Sequence, residues 1–311
     1  MSRPVRFRVV ESEDGTMLSH LLARRLPGVS HGDAKALVKG GAVYVGHLRV
    51  RLPTLRVTTG ERVTVYPEAL RKQELPLELV RVVYRDAELV VLDKPPGVPV
   101  AQTRDSARGT LAEALRRRLE QEGVLRPYVG VVHRLDQGAS GLVLMTVRSV
   151  VNASVHRLFV EHHIERRYRV RVLGEPPVEL RCDAPLVELS HGRVRVARDG
   201  EPRARTATTL MRRLEAVEPE VDGRPSALLE ALLETGRTHQ IRVHAQTLGF
   251  PVLGDRKYGE RAPEGASEDE DDEPSRLHLH ADRLRFTHPR TGETIDLRAE
   301  RPPWARARDD E

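Results

Sequence analysis

The residues best suited to chemistry lie together near the middle of the chain, in Val131-Val132-His133-Arg134-Leu135-Asp136-Gln137-Gly138-Ala139-Ser140-Gly141-Leu142. An imidazole, a guanidinium and a carboxylate fall close together, and a run of small residues follows. A carboxylate can attack an electron-poor carbon or stabilise charge developing on one, provided that it is ionised. Asp136, with Arg134 two residues before it, stays ionised at neutral pH where basic neighbours outweigh its desolvation. Apolar runs on both sides, Val131-Val132 and Leu142-Val143-Leu144, make the stretch read as strand, tight loop, strand. Loops carried on buried strands hold reactive groups at fixed distances.

Four more stretches belong with this one. They are Leu92-Asp93-Lys94-Pro95-Pro96-Gly97, Arg167-Tyr168, Thr235-Gly236-Arg237-Thr238-His239-Gln240-Ile241-Arg242-Val243-His244, and Leu253-Gly254-Asp255. With the central His133-Arg134-Leu135-Asp136, three variable positions and Gly141-Leu142, they resemble in order the RluA-type pseudouridine synthases. One short match would be weak, but five in order are hard to obtain by chance.

The resemblance implies an α+β fold, with a catalytic domain on a mixed or antiparallel central sheet, and an enzyme that isomerises specific uridines of structured RNA. It implies that Asp136 is the essential carboxylate beside the ribose, by direct attack or by assisting elimination, and that Arg237 is the guanidinium paired with it. Tyr168 matches the tyrosine that stacks on or near the target base and is implicated in proton transfer. Arg134 matches the arginine that fills the space vacated by a flipped nucleotide or holds that nucleotide, His133 supports the loop, and Ile241 lines the base pocket. Arg167 stands where the family has a lysine before the tyrosine, and Ala139 replaces a common threonine. Without the resemblance, Asp136 could cap its own loop, Tyr168 could be a core aromatic, and Arg237 a surface residue at a helix start.

The implied reaction breaks the bond from ribose to N1, turns the base and joins the same ribose carbon to C5. Redox state is unchanged and no group is added, so no cofactor and no metal are expected. The chain also has neither a Gly-rich dinucleotide loop nor a Gly-x-x-x-x-Gly-Lys-Ser/Thr phosphate loop.

Composition agrees with an RNA partner. The 311 residues carry a formal charge of +5, and lysine occurs only at Lys35, Lys39, Lys72, Lys94 and Lys257, so arginine supplies nearly all the positive charge. Arginine grips phosphate with a planar fork and stacks on bases, although a general arginine bias would look the same. Cys182 is the single cysteine, which suits a reducing cytoplasm and leaves no disulfide or thiolate cage within one chain. No apolar run suits a secretory signal or a membrane span, and a monomer is expected.

The elements that must position these groups follow from periodicity. Val5–Val10 alternates as a strand, and helices are expected from Thr16 to Arg25 and from Ser30 to Lys39, with strands at 43–45 and 62–66. Two small helices, short strands and nearby arginines and lysines resemble the alpha-L RNA-binding module of a small-subunit ribosomal protein; the bland alternative is a helical cap with solvated charges. The expected organisation is therefore an RNA-binding domain over 1–66, a linker over 67–79 and a catalytic domain over 80–304. In the catalytic domain, strands are expected at 80–84, 89–92 and 165–172, and helices at 111–120 and from Ser149 to about His162. Residues 226–234 favour a helix by propensity and a strand by resemblance, and a helix opens at Arg237 or Thr238. The acidic block Glu268–Glu273 falls in an expected mobile loop at 260–275. Such an accessory module points to large-subunit ribosomal RNA ahead of transfer RNA.

Two rival readings remain. His278-Leu279-His280-Ala281-Asp282 puts two histidines on one strand face and, with His162 and His163, suggests a metal-dependent hydrolase. The other is a non-catalytic RNA-binding or assembly factor using the same cleft.

Overall fold

The computed structural model describes residues 4–67, 75–101, 109–189, 192–217, 225–259 and 277–307. Two compact units divide the chain: Met1–Leu77 with Ala101–Arg118, and Glu78–Val100 with Leu119–Glu311. No helix among the described residues is long and apolar enough to cross a membrane.

The first unit contains β1 (Val5–Arg8), α1 (Leu18–Arg25), α2 (His31–Lys39), β2 (Val43–Val45), β3 (Leu48–Val50) and β4 (Arg62–Val65), with the strands in the antiparallel order β1-β4-β2-β3. Ser30 caps α2 by accepting from Asp33 N, while the Asp33 carboxylate accepts from Ser30 N, so two orphan donors are satisfied reciprocally. Leu18, Leu21 and Leu22 of α1 and Leu37 and Val38 of α2 are buried together with β2 and β4. Of the expected linker, residues 68–74 lie outside the described residues.

The remaining helices are α3 (Leu111–Gln121), α4 (Asn152–Val160) and α5 (Gln240–Thr247). The strands are β5 (Arg81–Arg85), β6 (Leu89–Lys94), β7 (Gly130–Val131), β8 (Ser140–Thr146), β9 (Ile164–Leu173), β10 (Glu179–Cys182), β11 (Leu186–Glu188), β12 (Val194–Val196), β13 (Thr209–Val217), β14 (Ser226–Leu233), β15 (Leu279–Thr287) and β16 (Thr294–Arg298). Ten of them form one mixed sheet in the order β10-β13-β14-β9-β15-β8-β6-β5, with β16 on β15 and β7 on β8. Among the described residues, only the β15–β8 pairing is parallel. This is the α+β architecture expected.

Ser226–Leu233 is a strand, despite its helix-forming leucines, alanines and glutamate. It lies between β13 and β9 and is buried along nearly its whole length, so pairing on both edges overrides local propensity. No element was expected between Leu173 and Ser226, where β10 to β13 lie. Helix α5 begins at Gln240 rather than at Arg237 or Thr238, because His239 adopts a left-handed conformation at φ 54°. The acidic block falls within 260–276, outside the described residues.

Candidate active site

The site is built where β8 meets β15. These strands pair for two residues only, Ser140 with His280 and Gly141 with Ala281. Gly141 has φ +102°, and a Cβ there would fall 2.3 Å from Ala281 O, so only glycine allows this approach. The glycine of the central motif thus fixes where the loop returns to the sheet. On the far side, β7 pairs with Thr146 and Met145. In the gap between the two pairings, Leu144 N–H donates to His133 Nε2 at 2.8 Å. His133 therefore fills a missing rung of the sheet, and its ring stacks on Phe159 of α4, with centroids 4.6 Å apart. Burial pushes His133 down to about 3, helped by Arg166, so it is a neutral acceptor at any ordinary pH.

A second clamp comes from β6. Lys94 is fully buried, and its Nζ donates to Pro95 O, Val98 O and Gln137 O at 2.9, 2.8 and 3.0 Å. Three acceptors match the three hydrogens of an ammonium. Gly97 N–H also donates to Gln137 O, at 2.8 Å. The Lys94-Pro95-Pro96-Gly97 turn thus holds the residue next to Asp136. Burial pushes Lys94 down to about 7, against the pull of Asp136 and Asp93.

Asp136 presents a side chain that is 17% exposed, and its Oδ2 accepts from Arg242 Nη1 at 3.0 Å. Arg242 is anchored in turn: Nε and Nη2 donate to the buried Asp255 carboxylate at 2.8 and 2.7 Å, and its guanidinium lies over the Tyr258 ring. Asp255 also accepts from Lys257 N and Tyr258 N, which explains the Leu253-Gly254-Asp255 stretch as the support of Arg242. On the other oxygen, His239 Nε2 stands 3.8 Å from Asp136 Oδ1. Tyr258 Oη accepts from Val194 N at 2.9 Å and lies 2.7 Å from His239 Nδ1. The hydroxyl proton is then donated to Nδ1, and the Nε2 hydrogen faces Asp136. Burial opposes ionisation of Asp136, but His239, Arg242 and Lys94 outweigh it and hold the carboxyl below its ordinary value.

This geometry corrects the expected pairing. Arg237 does not meet Asp136: its Nε donates to Thr206 O at 3.0 Å, and its backbone N–H to Gln240 Oε1. Arg242, five residues on, carries the contact. A signal for it was present, since Arg242 sits between Ile241 and Val243 on a short helix where five consecutive residues after Gln240 are buried. A buried arginine needs a carboxylate, and Asp136 and Asp255 both lay in motifs.

Tyr168 points inward and is buried. It pairs with Ala231 and Ala281 on the neighbouring strands and packs in one apolar cluster with Ala139, Ile241 and Leu135. Burial pushes its phenol up, partly opposed by Arg166 and reinforced by Asp136. Asp136, Tyr168 and Ile241 are thus brought to one place, the last two as buried walls. Arg134 is exposed beside them. Arg167 is not part of this group: it faces the opposite side of β9, where Glu165 and Glu230 accept from it at 2.6 and 2.8 Å. The cation on the Tyr168 face is Arg166, which strand alternation could have identified. Within the rival metal motif, His278 Nδ1 lies 3.3 Å from Leu253 O, His280 bonds Ser140 Oγ at 2.9 Å, and Asp282 is gripped by Arg301.

Comparison with known proteins identifies the family of the chain. A family model described as RNA pseudouridylate synthase matches residues 88–247. The ribosomal large subunit pseudouridine synthase D of Zymomonas mobilis is 32% identical over 94% of this chain and 93% of that protein. An uncharacterized RNA pseudouridine synthase of Aquifex aeolicus is 33% identical over 97% of this chain and 95% of its own length. Among solved structures, human RNA Pseudouridylate Synthase Domain Containing 1 superposes with a TM-score of 0.58 at 25% identity, covering 74% of this chain and 87% of that one.

Proposed function

The chain belongs to the RNA pseudouridylate synthase family, and on that premise we propose that it converts uridines of large-subunit ribosomal RNA to pseudouridine in the cytoplasm, with Asp136 as the reacting carboxylate. The observation that carries this reading is the held state of Asp136, ionised against Arg242 at 3.0 Å and beside the inward Tyr168. A carboxylate fixed in advance needs little reorganisation as positive charge develops on the ribose.

In this mechanism the target uridine leaves its stack, at a cost of a few kcal/mol, and Arg134 occupies or stabilises the vacated place. The base lies against Tyr168 and Ile241, with its ribose carbon next to Asp136. The N1–C1′ bond breaks while Asp136 either bonds to C1′ or stabilises its charge. The base turns, a C5–C1′ bond forms, the C5 hydrogen leaves as a proton and N1 gains one. Arg242 keeps Asp136 charged throughout. Tyr168 remains a neutral phenol, able to contact a base face and to hydrogen-bond the sugar. His133 positions the loop and makes no contact with the base.

The choice of ribosomal RNA is supported by relatives bearing that name, matched over 83 to 93% of their length, and by the excess of arginine and lysine around α1 and α2. Release of tritium from RNA labelled at uridine C5 tests the proposal. Large-subunit ribosomal RNA should release label, and bulk transfer RNA should release far less. Release from transfer RNA alone would overturn the substrate, and release from neither would overturn the activity.

A further inference from the structure

Among the described residues, three arginines are buried: Arg166, Arg169 and Arg242, with 8%, 5% and 5% of their surface exposed. Arg242 has Asp255 and Asp136, and Arg169 has Asp282 at 3.7 Å. Arg166 has no carboxylate within ion-pairing distance among the described residues, and its Nε is buried without a hydrogen-bond partner. A desolvated cation lacking a counter-charge is costly, and such groups are normally paired.

Its surroundings hold the guanidinium in place without neutralising it. The Phe159 ring lies beneath it at 5.7 Å. At the other end, a Cβ on Gly236 would come within 2.3 Å of Arg166 Nη1 and 3.2 Å of Nη2, so any side chain there would occupy the guanidinium's position. Gly236 itself is exposed, which places the tip of Arg166 at the surface. Its electrostatic neighbours are Tyr168, whose phenol is neutral, and Arg237, another cation. Arg166 lies two residues before Tyr168 on the same face of β9, about 6.6 Å along the strand. That is comparable with the reach from a nucleobase to its own backbone phosphate.

We propose that Arg166 binds a phosphodiester of the substrate RNA next to the nucleotide whose base faces Tyr168, with Gly236 leaving the backbone open for it. A full negative charge is what this site lacks; a uracil carbonyl would solvate the guanidinium without neutralising it. Arginine also suits a phosphate better than lysine, through its two-pronged contact. The inference rests on the proposed function for the identity of the base, but its test does not depend on turnover.

The experiment uses the full-length protein and a stem-loop cut from large-subunit ribosomal RNA around the uridine that tritium release identifies. Phosphates flanking that uridine are replaced one at a time by uncharged methylphosphonates, and binding is measured. In the wild-type protein one replacement should weaken binding about ten- to hundredfold. In Arg166→Gln the same replacement should cost nothing further. Arg166→Gln should also lower the slope of log affinity against log salt by about 0.7 to 0.9, and Arg166→Lys should restore that slope while recovering only part of the affinity. Gly236→Ala should mimic Arg166→Gln. If every replacement weakens Arg166→Gln as much as it weakens the wild type, the proposal is overturned. If no uridine is turned over, the proposed function fails on that arm, and Arg166 is still decided by the salt slopes of the wild type, Arg166→Gln and Arg166→Lys with the whole transcript; equal slopes contradict the phosphate contact.

Discussion

The two sides of the site treat positive charge in opposite ways. Around Asp136 the cations are matched: Arg242 divides its donors between Asp255 and Asp136, and Lys94 spends its three hydrogens on three carbonyls. Around Tyr168, Arg166 is buried with no carboxylate in ion-pairing reach among the described residues, and the Arg237 side chain donates to a backbone carbonyl. Matched charge fixes one geometry before any ligand arrives, whereas unmatched charge leaves a valence for a ligand to fill. The first side fits the proposed chemistry and the second fits the proposed binding.

Breaking the matched side should cost most. Arg242→Met leaves Asp255 and Asp136 without their shared cation, and loss of one partner from a buried pair costs about 3–5 kcal/mol. A large fall in melting temperature, together with lost turnover, is expected; an unchanged melting temperature would mean that the two carboxylates do not need it.

His133 comes next. The folded chain holds its proton only below about pH 3, while the unfolded residue titrates near its ordinary 6.5. The unfolded state therefore binds more protons between those values, so this stability is fully present above pH 6.5 and is lost as pH falls toward 3. Urea unfolding at pH 7 and pH 5 should show that loss, and His133→Gln, which retains an acceptor for Leu144 N–H but cannot titrate, should flatten it. At pH 7 the same variant should be destabilised by about 1–3 kcal/mol if its carbonyl misses the amide.

Arg237→Ala is the smallest expected change and sharpens the contrast between the two arginines. Losing one bond to Thr206 O should alter stability by no more than about 0.5 kcal/mol and leave turnover within a few-fold. Unfolding and single-turnover measurements check it, and a collapse of turnover would return Arg237 to the role first expected of it.

The sequence made some of this site legible and hid the rest for physical reasons. Asp136 and Tyr168 could be placed because motif order locates the loop and strand alternation sets the inward face. Residue-by-residue transfer failed at Arg237, since a left-handed His239 turns the chain before α5 and places Arg242, not Arg237, against Asp136. The same alternation that turned Tyr168 inward also turned Arg167 outward to Glu165 and Glu230, leaving Arg166 on the active face. The strand Ser226–Leu233 was ambiguous because its composition favours helix, and only its two neighbouring strands decide it. The role of His133 as a substitute rung could not be read locally, because the gap it fills arises where β8 leaves β15.

The most direct test of the account is a paired measurement on Asp136→Asn, which keeps the size of the side chain and removes its charge. Tritium release from C5-labelled ribosomal RNA should vanish while RNA affinity stays within a few-fold of the wild type, because phosphate contacts dominate binding. Retained release, or affinity that falls in step with activity, would contradict a chemical role for Asp136.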